Sequence, residues 1–145
     1  MSSREAPVPT VGERFSRRVV FDAASIRAFA TLSGDDNPLH HDETAAAAGP
    51  FGRLIASGTQ VTSLMMGLDA AYFSRRFEAL GLSFEFRFHK AIPVDTTLTL
   101  EWTISACTRK ESLAGSIVEV EGRAIDDAGT LYATGRGANL VRTRP

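Results

Sequence analysis

The stretch GTQVTSLMMGLDAAYF, residues 58–73, carries the strongest helix signal in the chain. Its apolar side chains recur three and four residues apart, which is the period of an α-helix; they are Val61, Leu64, Met65, Leu68, Ala71 and Tyr72. Apolar residues also stand on the opposite side of this helix. We therefore expect it to be buried along much of its length.

The chain after this helix shows the alternation that is typical of β-strands. Apolar and polar residues alternate in the stretches 84–89 and 98–104, and further strands are predicted at 118–124 and 131–141. A turn rich in aspartate and glycine, residues 126–129, separates the last two. Period-two alternation with hairpin turns predicts an antiparallel sheet with one buried face. One long helix followed by several such strands predicts an α+β fold.

Shorter elements precede the helix. Residues 15–21 are predicted to form a strand, Asp22 can cap a second helix, and the alanine-rich stretch 42–48 favours a third, short helix. Residues 1–14 are predicted to form an N-terminal arm, and residues 15–145 a single domain without repeats or linkers.

Composition excludes several classes of function. The 145 residues include 16 Lys and Arg against 17 Asp and Glu, so no strong field of either sign favours nucleic acid as a partner. No apolar run reaches the ~20 residues that span a bilayer, so no membrane partner is expected. The first dozen residues lack the apolar core of a signal peptide. We therefore expect a cytoplasmic protein, and the single cysteine excludes an internal disulfide.

The run SGDDNPLH, residues 33–40, places three chemically useful side chains within six residues. They are the carboxylate of Asp35, the amide of Asn37 and the imidazole of His40. Water held between a carboxylate and an imidazole can be deprotonated, or formed by dehydration of an alcohol. The same run is also typical of an ordinary loop, because Asp and Asn bond their own backbone and Pro stops a helix.

A second segment, LIASG at residues 54–58, leads into the apolar helix. Together with residues 34–40 it resembles the MaoC-like dehydratases, which include the (R)-specific enoyl-CoA hydratases and carry a Gly-Asp-x-Asn-Pro-x-His loop. The resemblance extends over about residues 15–141 and is strongest in the two motifs. It implies the hot-dog fold, an antiparallel β-sheet wrapped around a long central α-helix. It also implies a homodimer or higher homo-oligomer with active sites near subunit interfaces.

The resemblance implies a role for each motif residue. Asp35 and His40 would be the acid/base pair that holds a water molecule, with the choice of base left open, and Asn37 would orient that water. The backbone of Gly58 would contact the thioester oxygen, and Ser57 would help to shape this site. The implied reaction interconverts a trans-2-enoyl-CoA and an (R)-3-hydroxyacyl-CoA. It needs no cofactor, because the substrate supplies the CoA or acyl-carrier-protein arm.

Three features of the sequence bear on this interpretation. His41 and Asp42 follow His40, but adjacent side chains point in different directions and no second ligand cluster exists, so no metal site is expected. Residues 91–96 lack the glycine that is common in the family's turn, and Asp95 is expected to tolerate that turn geometry. Many (R)-hydratases also have His-Gly-Met at residues 57–59, where this chain has Ser-Gly-Thr.

Two rival functions stay open at this stage. An acyl-CoA thioesterase of the hot-dog fold would share the thioester site and release a free thiol, although the Asp-x-Asn-Pro-x-His spacing favours hydration. A non-catalytic acyl-thioester-binding accessory subunit would support an active partner chain. The presence of both Asp35 and His40 argues against that second rival.

Overall fold

A computed structural model describes residues 8–145, which contain one five-stranded antiparallel sheet. Its strands in chain order are β1 (Arg14–Phe21), β2 (Glu78–Phe88), β3 (Thr96–Lys110), β4 (Gly115–Ile125) and β5 (Leu131–Arg142). In space the order is β1-β3-β4-β5-β2, and every neighbouring pair is antiparallel. The strands β1 and β2 therefore form the two edges of the sheet.

Three α-helices accompany the sheet: α1 (Ala23–Ser33), α2 (Glu43–Ala48) and α3 (Gly58–Ser74). Asp22 caps α1 by accepting a hydrogen bond from Ser25 N, which confirms the predicted helix start. Arg14, assigned above to the N-terminal arm, is instead the first residue of β1, and residues 1–7 of that arm lie outside the described residues. No helix within residues 8–145 combines the length and apolarity needed to traverse a bilayer.

The indole of Trp102 joins the central helix to the sheet. Trp102 is fully buried on β3, and its Nε1–H donates a hydrogen bond to the backbone oxygen of Met65 on α3 at 2.7 Å. In register, Trp102 stands beside Gly122 of β4, which stands beside Gly135 of β5. A Cβ on Gly122 would lie only 2.5 Å from the Trp102 ring. The two glycines therefore leave the space in which the ring lies between sheet and helix.

Phenylalanines of β2 extend this aromatic layer. Phe86 pairs with Gly135 and Phe84 with Gly137, and a Cβ on Gly137 would lie 2.3 Å from the Phe84 ring. Both rings meet Trp102 edge-on, with centroid distances of 6.2 Å and 5.9 Å respectively. The alternation of β2 thus directs these aromatic rings toward α3, and it agrees with the predicted sheet that has one buried face.

The burial of α3 differs from the expectation. Met65 and Phe73 on its sheet-facing side are buried, whereas Met66, Gly67 and Ala70 are exposed. The prediction that this helix is buried along much of its length is therefore wrong for one side. The sheet packs against one side of α3. Within residues 8–145, Met66 and Ala70 on the opposite side of this helix remain exposed.

A polar pair lies between α3 and the sheet. Asp69 is 1% exposed, and its Oδ1 accepts a hydrogen bond from Nδ2 of Asn139 on β5 at 2.9 Å. Burial raises the pKa of the Asp69 carboxyl to about 6, and the hydrogen bond from Asn139 opposes this rise only in part. No local sequence pattern indicated this pair, because its two residues are 70 positions apart in the chain.

Asp95 occupies the turn that lacks the family's glycine. Its φ of 67° lies in the left-handed region, and its backbone N–H donates to Phe21 O at 2.8 Å. Aspartate is one of the few residues that adopt this conformation at small cost. The expectation that Asp95 tolerates this turn is confirmed.

The raised pKa of Asp69 predicts a pH-dependent stability. The Asp69 carboxyl has a higher pKa in the folded state than its ordinary value of 3.8, so folding favours its protonated form. The contribution of this preference to the free energy of unfolding is complete below pH 3.8. It is lost as the pH rises through about 6. Replacing Asp69 with Asn removes the ionisation and keeps an oxygen acceptor for Asn139. We expect Asp69→Asn to gain on the order of 2 kcal/mol relative to the wild type between acid and neutral pH.

Chemical denaturation of both proteins across this pH range measures the effect. The difference between their unfolding free energies should widen with rising pH. A difference that does not change with pH would contradict the assignment of Asp69 as the responsible group.

Candidate active site

The loop after α1 is shaped by its own side chains. The chain leaves α1 through Gly34, whose φ is 76°, and Asp35 N–H donates to Ala30 O at 2.9 Å. Asp35 Oδ1 accepts from Asn37 N–H at 3.1 Å, and Asn37 Oδ1 accepts from Leu39 N–H at 3.1 Å. The predicted turn chemistry and the candidate residues thus belong to one rigid loop.

The ring of His40 is oriented by a backbone carbonyl. His40 is buried, and its Nδ1 lies 2.7 Å from the carbonyl oxygen of Ile55. Because a carbonyl oxygen only accepts hydrogen bonds, Nδ1 must carry a proton. The other ring nitrogen, Nε2, faces the Asp35 carboxylate and is available for chemistry.

Asp35 and His40 form a pair that opens to solvent on one side. Nε2 of His40 lies 3.4 Å from Oδ2 of Asp35, which is longer than an ordinary hydrogen bond. The His40 side chain is 7% exposed and that of Asp35 is 34% exposed. Both atoms therefore face a shared space that is reached from the carboxylate side, where one small polar molecule can contact both.

The second motif, residues 54–58, is hydrogen-bonded to this loop. Ile55 N–H donates to Leu39 O at 3.1 Å, while Ile55 O receives the His40 ring. On its other side the segment bonds residues 92–94, through Ala56 N–H to Ile92 O at 2.9 Å. The two motifs recognised in the sequence thus meet through Ile55, three residues before Gly58.

Ser57 and Gly58 begin the central helix. The buried Ser57 caps α3, its Oγ accepting from Gln60 N–H at 3.3 Å, and Gly58 is the first helical residue. A Cβ on Gly58 would lie 2.9 Å from the Phe88 ring tip, so the glycine allows this ring to pack against the helix start. The positive end of the helix dipole and free N–H groups point outward here.

A cavity of about 400 Å³ lies at this helix start. Its walls are formed by Phe51, Ala56, Ser57, Gly58, Val61, Phe88, His89, Lys90, Ala91, Ile92 and Tyr132. Lys90 is its cation, with Nζ 5.2 Å from the Tyr132 ring centroid. Among the described residues, the walls include Ser57 and Gly58 but neither Asp35 nor His40, which adjoin it through Ile55.

Asn37 has a different position from the other candidates. Its side chain is exposed, and its Oδ1 caps the short 3-10 helix Pro38–His40. Only its amide nitrogen is therefore free for the predicted role of orienting water, and that role stays a prediction.

His41 supports the loop in a way that the sequence did not reveal. Its Nε2 donates to the backbone oxygen of Asp35 at 2.6 Å, and its own carbonyl accepts from Arg27 Nε at 3.2 Å. His41 thus ties Asp35 to α1. This bond reaches back six residues and belongs to no helix-cap or Asx-turn pattern, so no local pattern predicted it.

The cap that Asn37 provides predicts a measurable stability. Asn37→Ala removes the acceptor for Leu39 N–H and should cost about 1 kcal/mol of unfolding free energy, whereas Asn37→Ser keeps a capping oxygen and should cost much less. Chemical denaturation distinguishes them, with Asp36→Ala as the exposed neighbouring control. Equal stabilities of the alanine and serine variants would show that the cap contributes nothing.

Comparison with known proteins places the chain in a family. A family model described as MaoC like domain matches residues 5–126. The (R)-specific enoyl-CoA hydratase of Aeromonas caviae is 33% identical over 120 residues, which cover 77% of this chain and 88% of that protein.

Solved structures agree with this assignment. The (R)-hydratase from A. caviae involved in PHA biosynthesis has a TM-score of 0.82 at 29% identity, covering 96% of this chain and 100% of that chain. A MaoC-like dehydratase from Rhodospirillum rubrum has a TM-score of 0.79 at 28% identity, covering 94% and 95%. The predicted hot-dog fold is thereby confirmed. The chain belongs to the MaoC-like domain family of hydratases and dehydratases.

Proposed function

We propose that the chain interconverts trans-2-enoyl-CoA and (R)-3-hydroxyacyl-CoA by adding or removing water. The observation that carries the proposal is the Asp35–His40 pair, with His40 held by Ile55 just before the α3 start. The identity shared with the A. caviae (R)-specific enoyl-CoA hydratase supports this reaction over others on the same fold.

The pair supplies the proton transfers. With Nδ1 protonated by its contact to Ile55 O, neutral His40 presents a lone pair on Nε2, and Asp35 presents Oδ2. A water molecule between them can donate one hydrogen to each, which directs its oxygen lone pair toward the β-carbon of an enoyl thioester. As the hydroxyl adds there, the pair accepts one proton from water and delivers one to the α-carbon. The same groups run the dehydration in reverse.

The start of α3 stabilises the charge that develops. Electrons move from the double bond to the thioester oxygen during the addition, so this oxygen needs a donor. The N–H of Gly58 lies at the positive helix end, and the absence of a side chain lets the oxygen approach. Ser57 fixes the first turn through its cap, which keeps the N–H group in place.

The carrier of the acyl group is CoA or acyl carrier protein. The cavity at the helix start offers Lys90 as a cation for a phosphate-bearing arm. The reaction as written needs no further cofactor or metal, and this expectation, like the cytoplasmic location, stays a prediction. A thiol-trapping reagent separates hydration, which leaves the thioester intact, from the thioesterase alternative.

Loss of either member of the pair should abolish most hydration. Asp35→Asn keeps an acceptor for Asn37 N–H but loses the carboxylate, and His40→Gln loses the imidazole. We expect each to lower kcat for crotonyl-CoA by about 10²- to 10⁴-fold, measured as loss of enoyl ultraviolet absorbance. Asp36→Asn, one residue away and exposed, is the matched control and should retain activity. Full activity of Asp35→Asn or His40→Gln would refute the proposed hydration mechanism.

Gly58→Ala tests the thioester contact. The backbone of Gly58 is not in the left-handed region, and alanine favours helices, so stability should change by less than about 1 kcal/mol. The new methyl group would displace Phe88 and crowd the thioester oxygen. Complete loss of one oxyanion donor costs about 10²- to 10³-fold. Alanine keeps the N–H and only obstructs the approach to it, so we expect kcat/KM for crotonyl-CoA to fall by at least about tenfold. Unchanged kinetics would place the oxyanion contact elsewhere.

We further propose that the chain forms a homodimer through the β2 edge. Within residues 8–145, β2 has a partner strand on one side only. Leu80, Leu82 and Phe88 of this strand and Met66 of α3 are exposed. A long apolar edge strand is a template for pairing with another chain. A second copy would cover both this edge and the uncovered side of α3.

Leu82→Lys should shift the protein toward the monomer, because a charge on the paired edge opposes association. Sedimentation velocity of the wild type and the variant measures this. Leu32→Lys provides the control, since Leu32 is 86% exposed on α1, away from the edge. A wild type that sediments as a monomer at all concentrations would refute the dimer.

A further inference from the structure

Two cavities follow one another along the central helix, and together they are named the groove. Near the start of α3, the Phe88 ring packs against Gly58. Further along, a second cavity of about 390 Å³ lies between α3 and β2, with Thr62 and Met66 on the helix side and Gly81 on the strand side. The cavities are lined by successive turns of one helix and successive residues of one strand, so together they follow the helix away from Gly58.

The second cavity borders the Asp69–Asn139 pair through Gly81, which lines the cavity and pairs with Asn139. Gly58, Thr62 and Met66 are four residues apart and Asp69 follows three later, so the four form one stripe of α3, with Asp69 buried toward the sheet and Met66 at its exposed border. Eleven residues separate Gly58 from Asp69, which is about 16 Å along a helix axis. This distance places Asp69 where the far part of an acyl chain would lie if its thioester sat at Gly58.

Strand β2 has no side chain at the position that pairs with the buried Asn139. Opposite Gly135 and Gly137 the strand supplies phenyl rings that fill the space. Opposite Asn139 it supplies Gly81, next to a bulge, and a Cβ on Gly81 would lie 3.9 Å from Asn139 Oδ1. The amide of Asn139 thus faces a strand position without a side chain, and this position also lines the groove.

The chemistry of the pair points to a polar ligand. Within the described chain, Asn139 is the only side-chain hydrogen-bond partner of Asp69. A carboxyl and an amide between a helix and a sheet are costly unless fully hydrogen-bonded, whereas two aliphatic side chains would stabilise the same place. Asp69 Oδ2 and Asn139 Oδ1 remain as acceptors for a donor group such as a hydroxyl.

We propose that Asp69 and Asn139 bind a hydroxyl group on the acyl chain, an inference that rests on the proposed hydration. The substrate class is then trans-2-enoyl thioesters that carry an additional hydroxyl toward the far end of a medium-length chain. The groove between Gly58 and Asp69 holds the apolar carbons, which contact Met66, Phe84 and Phe86. In the proposed dimer, the second copy covers Met66 and closes the groove toward solvent.

The experiment compares matched pairs of trans-2-enoyl-CoA of increasing length, one ending in a methyl group and the other in a hydroxyl. For the wild type we expect no preference at short length. At the length that reaches Asp69, kcat/KM should favour the hydroxylated member by about 10- to 100-fold, the usual effect of an unpaired buried polar group. A wild type that prefers the methyl-ended member at every length would overturn the proposal.

Two variants assign the preference to these residues. Asp69→Leu combined with Asn139→Leu should invert the ratio of the two kcat/KM values, and Asp69→Asn should reduce it. A ratio cancels any loss of active enzyme, so partial misfolding does not obscure the result. A wild-type preference that survives in both variants would contradict the assignment. Crotonyl-CoA is too short to reach Asp69, so failure of the wild type to hydrate it would instead refute the underlying hydratase function.

Discussion

The hydrogen bond from the Trp102 indole to the Met65 carbonyl sets the position of the central helix on the sheet. A buried indole N–H must find an acceptor, and here the acceptor is the helix backbone. The bond is possible because Gly122 and Gly135 leave space for the ring. With this contact in place, Gly58 lies at one end of the helix–sheet interface and Asp69 lies further along it.

The candidate site uses backbone atoms to orient side chains. The carbonyl of Ile55 selects the protonated nitrogen of His40, and the carbonyl of Asp35 receives His41. The pair Asp35–His40 is therefore held by contacts that do not compete for its reactive atoms. A small polar molecule can approach the pair from the side where Asp35 is partly exposed.

Much of this architecture follows from local sequence patterns. The period of α3, the alternation of β2 and β3, and the cap at Asp22 are set by residues close together in the chain, and the structure contains each of them. The loop motif likewise brought Asp35 and His40 together.

Other features depend on contacts that no local pattern encodes. The approach of Phe88 to Gly58 and the pairing of Asp69 with Asn139 depend on which strands pair and in which register. The exposure of Met66 depends on how much of a helix one sheet can cover. The partner of His40 is a carbonyl, which every residue has, so the identity of Ile55 gave no indication of it.

The separation of contacts along the chain implies an order of assembly during synthesis. His40 and Ile55 are 15 residues apart, whereas Asp69 and Asn139 are 70 apart. Short loops lose less entropy on closure than long ones, and the N-terminal part of a chain leaves the ribosome first. The loop of Asp35 and His40 can therefore acquire its hydrogen bonds while the strands are still being made. The end of the groove at Asp69 is completed only when β5, the last strand, has emerged and paired with β2.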